Sequence, residues 1–212
     1  MNGLLHVLYS EITPIQESEF TSFLQLMPAT ERNKIVKYIR WQDKIACLFG
    51  KLLLIDGLKI IGYESSLIAR LEYTSYGRPY LPVDIDFNIS HSGNYVICAI
   101  AKNMNLGVDI EEIKQIDLID FQDTMNPDQW QMIHRDSDPA KAFFRFWTIK
   151  ESIVKAIGKG LSIPFQDLEI FDNKIRFDGK FWQTQEINIH DNYSASIATS
   201  ELRPLQLHKI KI

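Results

Sequence analysis

The sequence predicts an α+β fold made of two similar lobes. Three observations lead there. Each half of the 212-residue chain runs from helical periodicity into strand-like segments. The composition, 45% hydrophobic and 24% charged, is that of an ordinary globular protein with enough chain to bury a sizeable core. No Gly/Ser linker, low-complexity tract or block of like charge separates the halves. The lobes are therefore expected to abut, as residues 1–106 and 107–212, with no detectable sequence repeat between them.

The first half opens with helices. Phe20, Phe23, Leu24 and Met27 follow the i, i+3, i+4, i+7 spacing of one apolar stripe. Thr30 can cap a second helix carrying Ile35, Val36 and Ile39. A third is expected from Asp43 to Asp56, with Ile45, Leu48, Phe49, Leu52 and Leu53 inward and Gly57 as its stop. A short helix near Ser66 to Arg70 precedes a hairpin, Leu71–Ser75 and Arg78–Leu81 about a Tyr76-Gly77 turn, with Pro79 marking an edge. Strands follow at Phe87–Ile89, Tyr95–Ala101 and Leu106–Ile110.

The second half repeats the order. Weak helical patterns at Leu118–Gln122 and Pro127–Ile133 lead to a strong helix capped by Asp138, with Pro139 in its first turn and Gly158 and Gly160 ending it. Strands are expected at Leu168–Phe171, Lys174–Phe177, Lys180–Ile189, Tyr193–Thr199 and Leu205–Ile210, with an Asp178-Gly179 turn.

Charge and length exclude several function classes. With 23 basic and 27 acidic residues the net charge is −4, and a general attraction to nucleic acid needs a basic excess, which leaves only a local basic patch open. No segment approaches the about 18 apolar residues of a membrane span. The start, Met1 to His6, lacks the basic region of a secretory signal, so a cytoplasmic protein is expected. Cys47 and Cys98 are too few for a disulfide framework and read as buried thiols.

Three segments carry possible chemistry. In Gly107-Val108-Asp109-Ile110-Glu111 the strand alternation puts Asp109 and Glu111 on one face. They are either two surface acids on a half-solvated edge or chelators of a hard cation such as Mg²⁺. In Phe146 to Lys155, the side chains of Thr148, Glu151 and Lys155 share a helix stripe beside one formed by Trp147, Val154 and Ile157. Glu151 and Lys155 either form an ordinary i, i+4 pair on an exposed helix or supply a third carboxylate and a phosphate-binding ammonium. Phe87-Asn88-Ile89-Ser90-His91-Ser92-Gly93 is either an ordinary strand and turn or a phosphate cradle of backbone N–H, hydroxyl and imidazole. No Gly-x-Ser-x-Gly elbow or hydrolase triad is evident.

Taken together and in this order, these segments resemble the 4′-phosphopantetheinyl transferases of the type that activates surfactin synthetase. The Gly77-Arg78-Pro79 turn, the continuation Gly158-Lys159-Gly160-Leu161 and a further likeness over Pro28–Gly50 extend the match over most of the chain, weakening after Asp172. The resemblance implies two pseudo-twofold-related α+β lobes, each with helices on a mainly antiparallel sheet, and coenzyme A in the cleft between them. It implies transfer of the phosphopantetheine arm of coenzyme A to a serine of an acyl or peptidyl carrier protein, with Mg²⁺ (or Mn²⁺), releasing 3′,5′-ADP. No nucleic-acid or membrane partner is implied, and two lobes in one chain make a monomer the simplest expectation.

By the same resemblance, Asp109, Glu111 and Glu151 match the metal carboxylates, and Glu151 and Lys155 the catalytic pair. Lys34, Arg78, Asn88, Ser90, His91 and Lys155 match positions that hold coenzyme A. Arg78 stands where the family often has lysine. Gln129 stands where relatives carry a glutamate and cannot act as a base: either that glutamate is dispensable, or Asp128 substitutes for it, or a family role is missing here, and the base role is placed on Glu151, directly or through a metal-bound water. Lys34, Lys37 and Arg40 on the second helix, with Trp41 nearby, are candidates for a carrier-docking face, against the alternative of a solvated helix surface. A non-catalytic binding module and a Mg²⁺-dependent phosphohydrolase are the competing readings.

Overall fold

The computed structural model describes residues 3–171 and 173–212; Met1 and Asn2, on which part of the amino-terminal reading falls, and Asp172 lie outside the described residues. The chain divides into two compact units, residues 1–103 with 203–212, and residues 104–202. The last ten residues, expected in the second lobe, belong to the first unit.

The first unit begins with β1 (Leu5–Glu11), followed by α1 (Glu17–Gln25), α2 (Ala29–Ile35) and α3 (Trp41–Ile60). A short 3-10 helix at Ser65–Arg70 leads to the small hairpin β2 (Glu72–Tyr73) and β3 (Pro79–Tyr80), then β4 (Ile85–Ser92) and β5 (Tyr95–Lys102). The chain returns as β11 (Leu205–Lys209), parallel to β1, and closes a four-stranded sheet of order β11-β1-β5-β4. The return puts the carboxyl-terminal segment in the first unit. Its entry is fastened by Arg203, whose guanidinium donates to the carbonyl oxygens of Lys102 (2.6 Å) and Asn103 (3.1 Å).

β1 has no counterpart in the sequence expectations. Leu5, Val7 and Leu8 are all fully buried, so the strand shows no alternation to read. α3 is longer than expected and runs straight through Gly57. That glycine is a packing residue rather than a stop: a Cβ there would lie 2.9 Å from Ile100 Cγ2 on β5. α2 is shorter than expected and starts after Pro28, so Thr30 lies inside it and does not cap it. It ends at Ile35, leaving Ile39 almost wholly exposed. Lys37 and Arg40 therefore lie beyond α2 and share no helix face with Lys34. The core packs Leu48, Phe49, Leu52 and Leu53 of α3 with Leu8, Phe87, Val96, Cys98 and Ile100 of the sheet.

The second unit contains β6 (Leu106–Glu112), a 3-10 segment at Leu118–Thr124, α4 (Pro127–Arg135) and α5 (Pro139–Ile157). Then come β7 (Glu169–Phe171), β8 (Lys174–Phe177), β9 (Lys180–Glu186) and β10 (Tyr193–Thr199). These form an antiparallel sheet of order β6-β10-β9-β8-β7, with the acid-bearing β6 at its edge. α5 follows its sequence signals closely. Asp138 caps it by accepting from the Lys141 N–H at 3.0 Å, and Gly158 ends it in the left-handed region at φ 76°. One stripe of α5, Ile149, Ile153 and Ala156, packs with Leu168, Ile175, Trp182 and Ala198. Each unit is thus helices on a largely antiparallel sheet, and the chain as a whole is α+β.

Candidate active site

The second unit gathers four of the expected site residues, Asp109 and Glu111 on β6 and Glu151 and Lys155 on α5, where the helix packs on the strand. The β6/β10 register sets Asp109 opposite Ser196 and Glu111 opposite Ser194, so all four side chains point to one face of the sheet. Thr148 of α5 reaches that face, with its Oγ1 3.1 Å from both serine Oγ atoms and its hydroxyl 3.2 Å from the Arg145 carbonyl oxygen. A polar seam runs here through an otherwise apolar helix–sheet contact, with Asp109, Thr148, Ser152 and Ser196 all buried.

Gly107 makes the close approach possible. Its position on β6 shares the face of Asp109, and a Cβ there would lie 2.2 Å from the Ser152 carbonyl oxygen and 2.3 Å from the Ala156 nitrogen. The helix backbone rests on the glycine. The residues that flank that contact on α5 are then held above the acids of β6.

Lys155 Nζ donates to Asp109 Oδ1 at 2.5 Å. Asp109 is only 2% exposed, so the reading of two surface acids on a solvated edge fails for it; Glu111 is half-buried. Glu151 is half-buried as well, which overturns the plain exposed-helix pair. Burial pushes the Glu151 carboxyl above the ordinary carboxylate range, Lys155 opposes that, and the charge of Asp109 adds to it. Asp109, Glu151 and Lys155 thus act on one another electrostatically.

The donor chemistry of Asp109, Glu111 and Glu151 fits a hard divalent cation: all are carboxylates, with no soft ligand among them. Among the described residues, no three His, Cys, Asp or Glu side chains converge on a common point as they stand. In their place the Lys155 ammonium sits on Asp109.

The remaining expected residues all lie in the first unit. Arg78 is a bidentate partner of Asp86, through Nη1–Oδ1 at 2.9 Å and Nη2–Oδ2 at 3.0 Å. Asp86 Oδ1 also accepts from the Phe87 N–H, so Arg78 anchors the start of β4. Asn88 and Ser90 share one face of β4 and are buried, whereas the alternation puts the exposed His91 on the other face with Phe87 and Ile89. Lys34 lies over the Tyr73 ring, 3.3 Å from its centroid, and pairs with buried Glu31 at 3.2 Å. Burial works against the charge of Glu31, but Lys51, the Tyr73 hydroxyl and Lys34 outweigh it and hold its carboxyl below the usual range.

Sequence reasoning missed three contributors. The Ser194–Thr148–Ser196 hydroxyl group is one, and Gly107 as a contact point is another. The third is Lys150, fully buried, which donates to the carbonyl oxygens of Thr124 (2.8 Å) and Phe165 (2.9 Å). Trp147, one turn earlier, packs its ring against Phe121 and Phe165 from the same two segments. The available signal was a lysine placed directly beside the acid of α5. Gln129, for its part, is buried and occupied in a capping box: its N–H donates to Asn126 Oδ1 at 2.9 Å and its Oε1 accepts from the Asn126 N–H at 3.1 Å.

Among the described residues, no helix is long and apolar enough to cross a membrane. Residues 105–200 match the model of the 4′-phosphopantetheinyl transferase superfamily, and residues 12–103 match that of the 4′-phosphopantetheinyl transferase N-terminal region. The 4′-phosphopantetheinyl transferase gsp of Aneurinibacillus migulanus is 34% identical over 81% of this chain and 73% of its own length. The 4′-phosphopantetheinyl transferase Sfp of Bacillus subtilis (strain 168) is 30% identical over 90% of this chain and 84% of its own. The L-aminoadipate-semialdehyde dehydrogenase-phosphopantetheinyl transferase of Schizosaccharomyces pombe is 28% identical over 94% of this chain and 83% of its own. Matches that span both units, at this identity and coverage, make the chain a member of the 4′-phosphopantetheinyl transferase family and a transferase enzyme.

Proposed function

We propose that this chain moves the 4′-phosphopantetheine group of coenzyme A onto a serine of an acyl or peptidyl carrier protein and releases 3′,5′-ADP, with a divalent cation, Mg²⁺ by preference, bound in the reaction. The observation that carries the reading is the grouping of Asp109, Glu151 and Lys155 where β6 passes beneath α5.

In this reading the carrier serine Oγ attacks the β-phosphorus of coenzyme A, and the bond from that phosphorus to the 3′,5′-ADP oxygen breaks. Glu151 takes the serine proton. Its half-buried carboxylate, within electrostatic reach of Lys155 and Asp109, supports the role. Gln129 carries no proton-accepting carboxylate and is already used in capping α4. Lys155 binds a phosphate of the donor, and charge-assisted contacts of this kind stabilise the charge that moves to the leaving group. Asp109, Glu111 and Glu151 would hold the cation, which when bound neutralises pyrophosphate charge. Lys34, Asn88, Ser90 and His91 are assigned to the nucleotide end, and Arg78 to a supporting place there through Asp86.

The test is incubation of the purified chain with coenzyme A, Mg²⁺ and several apo carrier proteins in parallel. Transfer adds about 340 Da to the carrier, the mass of the phosphopantetheine group. No mass gain on any carrier, with coenzyme A bound, would favour a binding module. Phosphate or pantetheine phosphate released when the carrier is omitted would favour a phosphohydrolase.

A further inference from the structure

The ion pair between Lys155 and Asp109 puts an ammonium at the buried carboxylate that a cation site here would need most. Asp109 is the most buried of the three acids, with 2% of its side chain exposed, while Lys155 retains 26%. Lys155 can therefore swing outward, and Asp109, fixed on β6 opposite Ser196, cannot follow it. A divalent cation on Asp109 would sit about 2.0–2.6 Å from a carboxylate oxygen, depending on the ion. The Lys155 nitrogen already stands 2.5 Å from Oδ1, so the ammonium and a cation held by the same carboxylate repel one another at close range.

A phosphate changes that balance. It offers Lys155 charge-assisted acceptors outside the acid face, and it adds negative charge beside a cation. We propose that the Lys155–Asp109 pair closes the acid face to a free divalent cation, and that a phosphate-bearing ligand opens it by drawing Lys155 away, so that cation and ligand bind with positive coupling. This rests on the reading of Asp109, Glu111 and Glu151 as the cation site and of coenzyme A as the ligand. By linkage, the cation raises the affinity for coenzyme A by the same factor that coenzyme A raises the affinity for the cation.

The experiment titrates the full chain with Mn²⁺ and follows the free-ion paramagnetic resonance signal, with and without saturating coenzyme A. Wild type should bind Mn²⁺ at least tenfold more tightly with coenzyme A than without it. Lys155→Gln, without coenzyme A, should bind Mn²⁺ at least tenfold more tightly than wild type, and Lys155→Met, with a stem of similar length, should do the same. Lys155→Arg, which keeps the positive charge, should bind Mn²⁺ without coenzyme A as weakly as wild type. Circular dichroism confirms that each variant is folded. Adding Asp109→Asn to Lys155→Gln should abolish the gain.

The inference is overturned if the uncharged variants bind Mn²⁺ no more tightly than wild type, if the gain survives loss of Asp109, or if coenzyme A leaves the wild-type affinity unchanged. The Mn²⁺-only arm needs neither coenzyme A binding nor transfer. A protein that fails the carrier assay but gains Mn²⁺ affinity in Lys155→Gln would retain the ion-pair gate and lose the proposed function.

Discussion

Gly107 of β6 and Ser152 of α5 are so close that a single added carbon on the glycine would lie 2.2 Å from the serine carbonyl oxygen. The clash is with helix backbone and not with the flexible end of a side chain, so no rotamer change relieves it. Gly107→Ala should push α5 off β6 and separate Glu151 and Lys155 from Asp109. The expected cost is about 3 kcal/mol, which corresponds to a fall in Tm of about 9 °C for a chain of this length. Transfer activity should fall further than stability, because geometry at the site is lost before the fold. Scanning calorimetry and the carrier assay on one preparation check both, and unchanged Tm with full activity would refute the close packing.

Thr148 should matter through its hydroxyl alone. It contacts Ser194 and Ser196, which stand directly beside Glu111 and Asp109. Thr148→Val keeps the shape and removes the oxygen, leaving the serines without that partner. Outer-shell contacts of this sort are worth about 10–100-fold in activity or metal affinity. Thr148→Val should therefore lower kcat/KM for transfer by about tenfold, and Thr148→Ser should recover most of it. Full activity in Thr148→Val, with a loss in Thr148→Ser, would mean that the methyl group, and not the hydroxyl, is what counts.

The segments proposed to carry the chemistry were legible in the sequence because their information is local. Strand alternation places Asp109 with Glu111, helix spacing places Thr148, Glu151 and Lys155 together, and Asp138 and Gly158 mark the ends of α5. What escaped depends on distant partners. β11 pairs with β1 from the far end of the chain, and nothing within Leu205–Lys209 encodes that choice. β1 is buried without alternation, so its period carries no signal. Gly57 resembles a helix stop in a window of sequence and becomes a contact point only once Ile100 lies across it. Arg78 has the chemistry of a phosphate binder, yet its fork is taken up by Asp86, eight residues along the chain and across a turn.

Lys150 should give the stability a distinctive pH dependence. Burial alone pushes its ammonium down to about 8 from the ordinary lysine value of 10.5. Above about pH 8 the folded chain releases this proton while the unfolded chain keeps it up to about 10.5. The unfolded state then binds more protons, so this residue makes stability rise with pH between those limits. The neutral amine still has two N–H groups, enough for the carbonyl oxygens of Thr124 and Phe165. Urea unfolding of wild type and Lys150→Met from pH 7 to pH 10 isolates the residue, because other titrations cancel in the difference. The difference curve should rise across that interval; a flat one would mean that Lys150 titrates normally.

His6 and His208 predict the opposite trend at low pH. His6 Nδ1 lies 3.1 Å from His208 Nε2, and the ring centroids are 5.4 Å apart. That separation is close to the N···N distance plus about one ring radius at each end, so the two nitrogens face one another along a nearly straight N–H···N bond. One proton fits between them and two do not. Burial, followed by the charge of His208, lowers the proton affinity of the His6 ring below the ordinary 6.5. As pH falls through 6.5 the unfolded chain takes up a proton that folded His6 refuses, and stability is lost from there downward. The loss should be felt first where the bond spans the β1–β11 pairing. Hydrogen exchange at Leu205–Lys209 should accelerate between pH 7 and pH 5 in wild type. His208→Gln, which removes the neighbouring positive charge and leaves the burial of His6 in place, should lessen that response without abolishing it, and an undiminished response in this variant would show that the imidazole pair does not hold the strand.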